Sequence, residues 1–336
     1  MKSILQCITL FTVCLFSAVT VQAQSGATRS EASAQNYPVR AVRMIVTFGV
    51  GGASDFVARI LQPKLSDALG QQVVVDNRVG AEGNIGVEIA VRAAPDGYTI
   101  LLGHVSPMTV NPSVYPKFPY RPVRDLIGIT LVSDLPGAMA AHPSVPAATV
   151  TEFIEYAKSR PGKLNFGSVG PASPSTLAFG FLMRKSGIKL VEIPYKGGAG
   201  PATIAALGGE VAVTMATVAS FIPHVKSGKL KVLAVISPKR AAQLPDTPTM
   251  AESGFPELTT GSWQGIYVPA GTPQSIVKKL YSVIIKVMND PWVIERLAYG
   301  GGEVMTSKSP AELAAFMKSQ TEFWAAIVKD LGVAME

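Results

Sequence analysis

Cysteine is almost missing. The 336 residues hold two, Cys7 and Cys14, both close to the N-terminus, so the rest of the chain has no disulfide framework, thiol nucleophile or thiolate zinc site. Histidine is nearly as scarce: His104, His142 and His224 lie far apart and none belongs to an H-E-x-x-H pair, which removes the commonest zinc-enzyme signature. Only 16% of residues are charged, with 30 Lys and Arg scattered among 23 Asp and Glu. No basic stripe marks a nucleic-acid protein. A Walker lysine, a G-x-G-x-x-G fingerprint and a G-x-S-x-G elbow are all lacking, the serine of "FGSVG" standing one place too early. "SGIK" at Ser186 has the S-x-x-K spacing without the companion elements. No repeat of about 20 to 50 residues suggests a solenoid. The chain thus carries no recognisable catalytic or metal equipment, and no cofactor is expected.

What is present begins with a leader. Lys2 precedes an apolar stretch from Ile4 to Val21, and small residues surround Val21-Gln22-Ala23. This pattern predicts a secretory signal peptide over 1–23, cleaved after Ala23. The apolar run is short for a membrane anchor and passes into the polar "QSGATRSEASAQN", a linker over 24–36. Loss of Lys2 takes the net charge from +7 to +6, a mild basicity that helps attract anions. A hydrophobic fraction of 48% supports about two domains with a sizeable core.

The body alternates strands and helices. Apolar runs over 42–48, 73–76 and 98–103 are separated by helical patterns over 54–69 and 83–93, the rhythm of a parallel sheet. Phe56, Val57, Ile60, Leu61, Leu65 and Leu69 recur at helical spacing before the stop signal Gly70. After the proline-rich "NPSVYPKFPYRPVRD" the pattern restarts, with strands expected over 128–132, 138–142, 164–168, 191–195, 211–217 and 230–236. Helices are expected over 150–159, 175–186, 200–207 and 221–226. A strand over 265–268 and helices over 273–288, 292–299 and 310–331 close the chain.

Two loops carry the functional signal. "GVGGASD", after the first strand, places glycines and hydroxyls at a helix start, where free N–H groups and the helix dipole favour an anion. "FGSVGPASPST" repeats the arrangement in the second α/β unit, with Ser168 before the helix and Ser173, Ser175 and Thr176 at its start. Each loop is equally compatible with an ordinary capped turn, Ser54 or Asp55 serving as the first cap. Facing each other, the two loops would grip one ligand outside the carboxyl ends of the strands.

With its signal peptide, "YPVRAVRMIVTFGVGGASDFVARIL", "VVVDNRVGAEGNIGVEIAVRAAPDGYTILLG", "LNFGSVGPASPSTLAFGFL", "EIPYKGGAGPATIAALGGEVAV", "LPDTPTMAESGFPEL" and "GIYVPAGTPQSIVKKL", the chain resembles the Bug family, the periplasmic solute receptors of tripartite tricarboxylate transporters. The resemblance runs in order from about Tyr37 to Gly332. It implies an α/β fold of the two-lobed periplasmic-binding-protein (Venus-flytrap, type II) kind, each lobe a mixed, mainly parallel sheet flanked by helices. Lobe 1 would span 37–136 plus 260–336 and lobe 2 137–259. It further implies a periplasmic, non-enzymatic, monomeric receptor for a small carboxylate, working with membrane transporter components.

By the same resemblance the first loop, with Phe48, Gly51, Gly52, Ala53, Ser54 and Asp55, would hold a ligand carboxylate, supported by Gly83 and Asn84. The facing lobe would add Ser168, Ser173, Ser175, Thr176, Tyr195, Lys196 and Thr217. Three departures concern the ligand. Thr47-Phe48-Gly49-Val50 lacks the prolines of the family's usual PFxPGG loop. Glu82 stands before Gly83 where two glycines are usual. Thr176 and Ala212 replace a common histidine and aspartate. Trp263, near the expected hinge, is a further candidate to line the cleft. An orphan receptor serving a sensor protein, and a periplasmic enzyme using the same cleft, remain the alternatives.

Overall fold

The computed structural model describes residues 36–333 except 116, 171, 172, 196–198, 260 and 300. The signal peptide, both cysteines, nearly all of the linker and Lys196 lie outside the described residues.

Two sheets organise the chain. Strands β1 (Val42–Val46), β2 (Val73–Asn77), β3 (Thr99–His104), β4 (Leu126–Leu135), β10 (Ser262–Pro269) and β11 (Glu303–Val304) form sheet A in the order β11-β4-β10-β3-β1-β2. Strands β5 (Gly137–Ala141), β6 (Asn165–Ser168), β7 (Val191–Pro194), β8 (Val213–Thr217) and β9 (Lys231–Ile236) form sheet B in the order β7-β6-β8-β5-β9. β1 pairs in parallel with β2 and β3, while β10 runs antiparallel between β3 and β4. In sheet B, β6 is parallel to β7 and β8, and β5 is antiparallel to β8 and β9.

Each sheet is covered on both faces, and side-chain alternation along its central strands shows why. Met44 and Val46 of β1 pack with Val57 and Leu61 of helix α1 (Ala53–Leu69) and with Ile284 of α7 (Gln274–Met288). Ile45, between them, points the opposite way, to Val87 and Ala90 of α2 (Asn84–Val91) and Trp324 of α9 (Pro310–Leu331). In β5, Met139 and Ala141 meet Phe153 of α3 (Val150–Lys158) and Phe179 of α4 (Pro174–Ser186). Ala138 and Ala140 meet Ala205 of α5 (Ala199–Leu207) and Phe221 of α6 (Val218–Lys226). Burying two faces removes the polar alternation of a solvated sheet, which is why these strands are mostly apolar, Arg43 of β1 being the exception and pairing with Asp76.

The chain crosses between sheets twice, at Pro136 and through 237–261. β4 leads through Pro136 directly into β5, and Val218 N–H donates to the Pro136 carbonyl (2.9 Å). The C-terminal helix α9 packs on sheet A and also touches α4: Arg184 pairs with Asp330 (3.0 Å), and Leu177 of α4 belongs to the same buried cluster as Trp324. The C-terminal end of a helix seated on sheet A thus contacts a helix of the sheet B unit.

The proline-rich stretch is more ordered than its composition suggests. Residues Ser106–Val110 form a π-helical turn and Asn111–Val114 a short helix, with Pro107 and Pro112 in their first turns. Proline is tolerated there because its missing N–H would have had no helical partner. Trp263 is core, 1% exposed, with its indole N–H donating to Gln320 (3.2 Å) and its ring edge-on to Phe316.

Candidate functional site

The first loop leaves β1 at Val46 and enters α1 through Gly51, at φ +81°, and Gly52. No side chain caps this helix start, so its first N–H groups remain available as anion donors. Asp55 instead staples the loop from behind. Its buried carboxylate accepts Gly51 N–H (2.9 Å), the Arg59 guanidinium (2.8 Å) and the Asn77 amide (3.1 Å), which also donates to the Phe48 carbonyl (2.9 Å). Burial pushes the Asp55 carboxyl upward, but Arg59, Gly51 N–H and Asn77 together outweigh it and hold the group below the usual aspartate range. Ser54 is different: it is 1% exposed and, among the described residues, its Oγ has no hydrogen-bond partner, nor has Thr47 Oγ1 just after β1. Unpartnered buried hydroxyls are uncommon.

The neighbouring loop after β2 is wound left-handed through Gly80, Ala81, Glu82 and Gly83, with φ of +128°, +46°, +52° and +90°. Gly83 sits so close to Thr47 and Pro107 that an added Cβ would lie 3.2 and 3.1 Å from them. Asn84 is buried, and its Oδ1 accepts Asn111 Nδ2 (2.7 Å) and the Tyr120 hydroxyl (3.0 Å); Asn111 Nδ2 also reaches the Glu82 carbonyl (3.1 Å). Asn84 therefore anchors this loop to Asn111 and Tyr120, while Gly83 lies against Thr47 of the first loop.

The Glu82 carboxylate spans the gap to sheet B, where a Cβ on Gly170 would collide with Glu82 Oε1. The carboxyl ends of the parallel strands of both sheets thus face each other. On the sheet B side, Ser173 caps α4 by accepting Thr176 N–H (3.2 Å) and shares hydrogen bonds with the Thr176 and Ser175 hydroxyls (2.8 and 3.1 Å). Ser168 Oγ donates to Glu192 (2.6 Å). Tyr195 is half-buried among Ala205 and Val211, its phenol raised by burial and then by Glu210. Thr217 bonds Ser220 (2.9 Å) beside the crossing at Pro136. Ser168 and Tyr195 thus already have protein partners. A cavity of about 460 Å³ opens behind α4, between Thr176, Met183 and Leu331, and is separate from the Glu82 contact.

The back wall comes from residues that carry no motif. Phe48 stands edge-on to His104, 4.8 Å between ring centres. His104 Nδ1 accepts Ser106 N–H (3.2 Å), so its proton sits on Nε2, which donates to Ser262 Oγ (2.6 Å). Burial lowers its pKa to about 4, and the ring is neutral at pH 7. Gln264 pairs in register with His104, and neither of its buried amide atoms has a partner among the described residues. Nearby, Asp134 is pushed up to about 6, first by burial and then by the charge of Glu303. These residues escape sequence reading because single polar residues inside apolar strands give no local signal.

A family model for the tripartite tricarboxylate transporter family receptor matches residues 57–333. Protein BugT of Bordetella pertussis is 35% identical over 305 residues, covering 90% of this chain and 93% of BugT. The solved structure of the periplasmic binding protein BugD is 37% identical with a TM-score of 0.80, over 89% of this chain and all of that one. MatC from Rhodopseudomonas palustris, solved with bound malate, is 30% identical with a TM-score of 0.78, over 87% of this chain and all of MatC. The chain therefore belongs to the tripartite tricarboxylate transporter receptors, periplasmic solute-binding proteins of the Bug type.

Proposed function

We propose that the chain is a non-enzymatic, monomeric receptor that captures one small carboxylate between two lobes, 37–136 plus 260–336 and 137–259, and presents it to a membrane transporter after export by its signal peptide. The observation that carries this reading is the uncapped start of α1, flanked by the buried, unpartnered hydroxyls of Ser54 and Thr47. Free backbone donors at a helix dipole neutralise a carboxylate, and a ligand oxygen would supply the partner that both hydroxyls lack. Gly51, Gly52 and Ala53 let the backbone approach the anion, Phe48 closes the side against His104, and Gly83 and Asn84 hold the adjoining wall. From the second lobe, the α4 start with Ser173, Ser175 and Thr176 closes on the ligand, with Ser168, Tyr195, Lys196 and Thr217 around it. Contacts made only in the closed form shift the population toward closure by the ligand's differential affinity. The malate bound to MatC supports the carboxylate class.

Ser54→Ala tests the reading with a split outcome. Removing an unpartnered hydroxyl leaves stability unchanged or raises it by up to about 1 kcal/mol, whereas losing its bond to the ligand weakens binding roughly tenfold. Calorimetric titration and urea unfolding measure the two separately. Unchanged affinity would take Ser54 out of the site.

A further inference from the structure

Glu82 stands where the two units meet, and three observations about it converge. First, its backbone is held at φ +52° within a run of four left-handed residues, a conformation that costs a non-glycine residue and persists only when its surroundings enforce it. Asn111 provides part of that enforcement through the Glu82 carbonyl. Second, the side chain leaves its own loop and lies against Gly170, which at φ +129° is itself a position for glycine, and which is large enough for Glu82 only because it lacks a Cβ. Third, burial raises the carboxyl above its ordinary value, with no cation acting on it among the described residues. Nearby Tyr115 is raised by burial and then by this same carboxylate, so the local field is negative.

The two neighbouring features are opposite in electrical character. The start of α1, with the Ser54 and Thr47 hydroxyls, is a donor site for an anion. Gly83 abuts Thr47, so the Glu82 loop is the immediate neighbour of that donor site. We propose that Glu82 determines specificity by accepting a protonated amine, so that the ligand is a small amino carboxylate rather than a di- or tricarboxylate. This rests on the carboxylate-receptor reading above and narrows it. A second ligand carboxylate facing Glu82 would meet a like charge in a partly desolvated site, whereas an ammonium would supply the missing counter-charge and up to three donors. Since Glu82 belongs to the sheet A side and touches the sheet B side, an amine bound there bridges both units and contributes to closure.

The experiment compares matched probes that differ in the amine alone: aspartate with succinate, glutamate with glutarate, 4-aminobutanoate with butanoate, and the remaining amino acids with their deaminated acids. Binding is measured by calorimetric titration on the wild type, Glu82→Gln and Glu82→Gly. The glycine variant relieves the φ of +52° and folds even if glutamine disturbs the loop. The wild type is expected to bind one amine-bearing probe at least tenfold more tightly than its deaminated partner. Both variants should lose that preference, weakening the amine probe tenfold or more while leaving the deaminated acid unchanged or tighter. A wild type that favours the deaminated acid overturns the proposal. So do variants that weaken both members of a pair equally, the result expected if Lys196, outside the described residues, already neutralises Glu82. In either case some carboxylate binds and the receptor reading stands; if no probe binds any form, that reading falls and this one with it.

Discussion

Asp55→Ala is expected to cost about 2–4 kcal/mol of stability and to weaken carboxylate binding roughly a hundredfold. The stability loss comes from the groups that Asp55 satisfies: the Gly51 N–H and the Asn77 amide lose a charged acceptor that is itself shielded from water. The binding loss has a different origin. The Asp55 carboxylate is occupied by Gly51 N–H, Arg59 and Asn77, and in the proposed site it acts by fixing Gly51 at φ +81° so that the helix-start N–H groups converge. Asp55→Asn keeps an acceptor for Gly51 and should fall between the wild type and alanine. The sign with pH is fixed as well. Because the folded carboxyl titrates below its ordinary value, its contribution is present above about pH 4, where an unfolded aspartate is ionised, and is lost as pH falls through the lowered value. Urea unfolding at pH 7 and pH 3 checks this; equal losses for Asp55→Ala at both would contradict it.

The second large effect runs in the opposite direction. Asp134→Asn should stabilise the protein at pH 8 by about 2–3 kcal/mol and leave it nearly unchanged at pH 4. Asp134 is raised from 3.8 to about 6 by burial and by Glu303. On raising the pH the unfolded chain ionises first, so the wild type loses stability from about pH 4 through pH 6 and regains none above. Asparagine has no charge to place there and removes the loss. His104 works against Asp134 over much of the same window. Lowered from 6.5 to about 4, it contributes stability above about pH 6.5 that is lost as pH falls toward 4. The wild-type profile between pH 4 and 6.5 is therefore flattened by two opposing groups, and Asp134→Asn should expose a rise with pH across that interval. Parallel profiles for variant and wild type would show that Asp134 carries no such penalty.

The elements themselves were largely readable because their signals are local. In α9, Ser309 accepts Glu312 N–H (3.1 Å) at one end and Gly332 at φ +66° stops the other, which is what a serine, a glutamate three places on and a terminal glycine announce in sequence. The same is true of Thr149 before α3 and Gly70 after α1. The helical turns over 106–114 escaped because proline reads as a breaker unless its place in the first turn is known. For the site, glycine spacing located the loops but not the directions of their side chains. Ser54 and Asp55 are adjacent, yet on a helix start they point about 100° apart. One is an unpartnered hydroxyl and the other a staple behind the loop. The sequence marks Ser168 by residue type and place, but not that its hydroxyl donates to Glu192, 24 positions away. His104 carries no metal motif, and its hydrogen-bond partner Ser262 is 158 positions distant. Such partners are long-range, and no periodicity encodes them.

A small carboxylate bound between the two sheets should stabilise the native state. The most direct test is thermal unfolding of the chain from Gln24, first unfolded and refolded to remove carried-over solute, against a panel of amino, aliphatic and aromatic carboxylates. One compound is expected to raise the midpoint progressively with concentration, the stabilisation reaching about 2.7 kcal/mol at a hundred times its dissociation constant, and Ser54→Ala should shift the response to higher concentration. A midpoint that no carboxylate moves would contradict this.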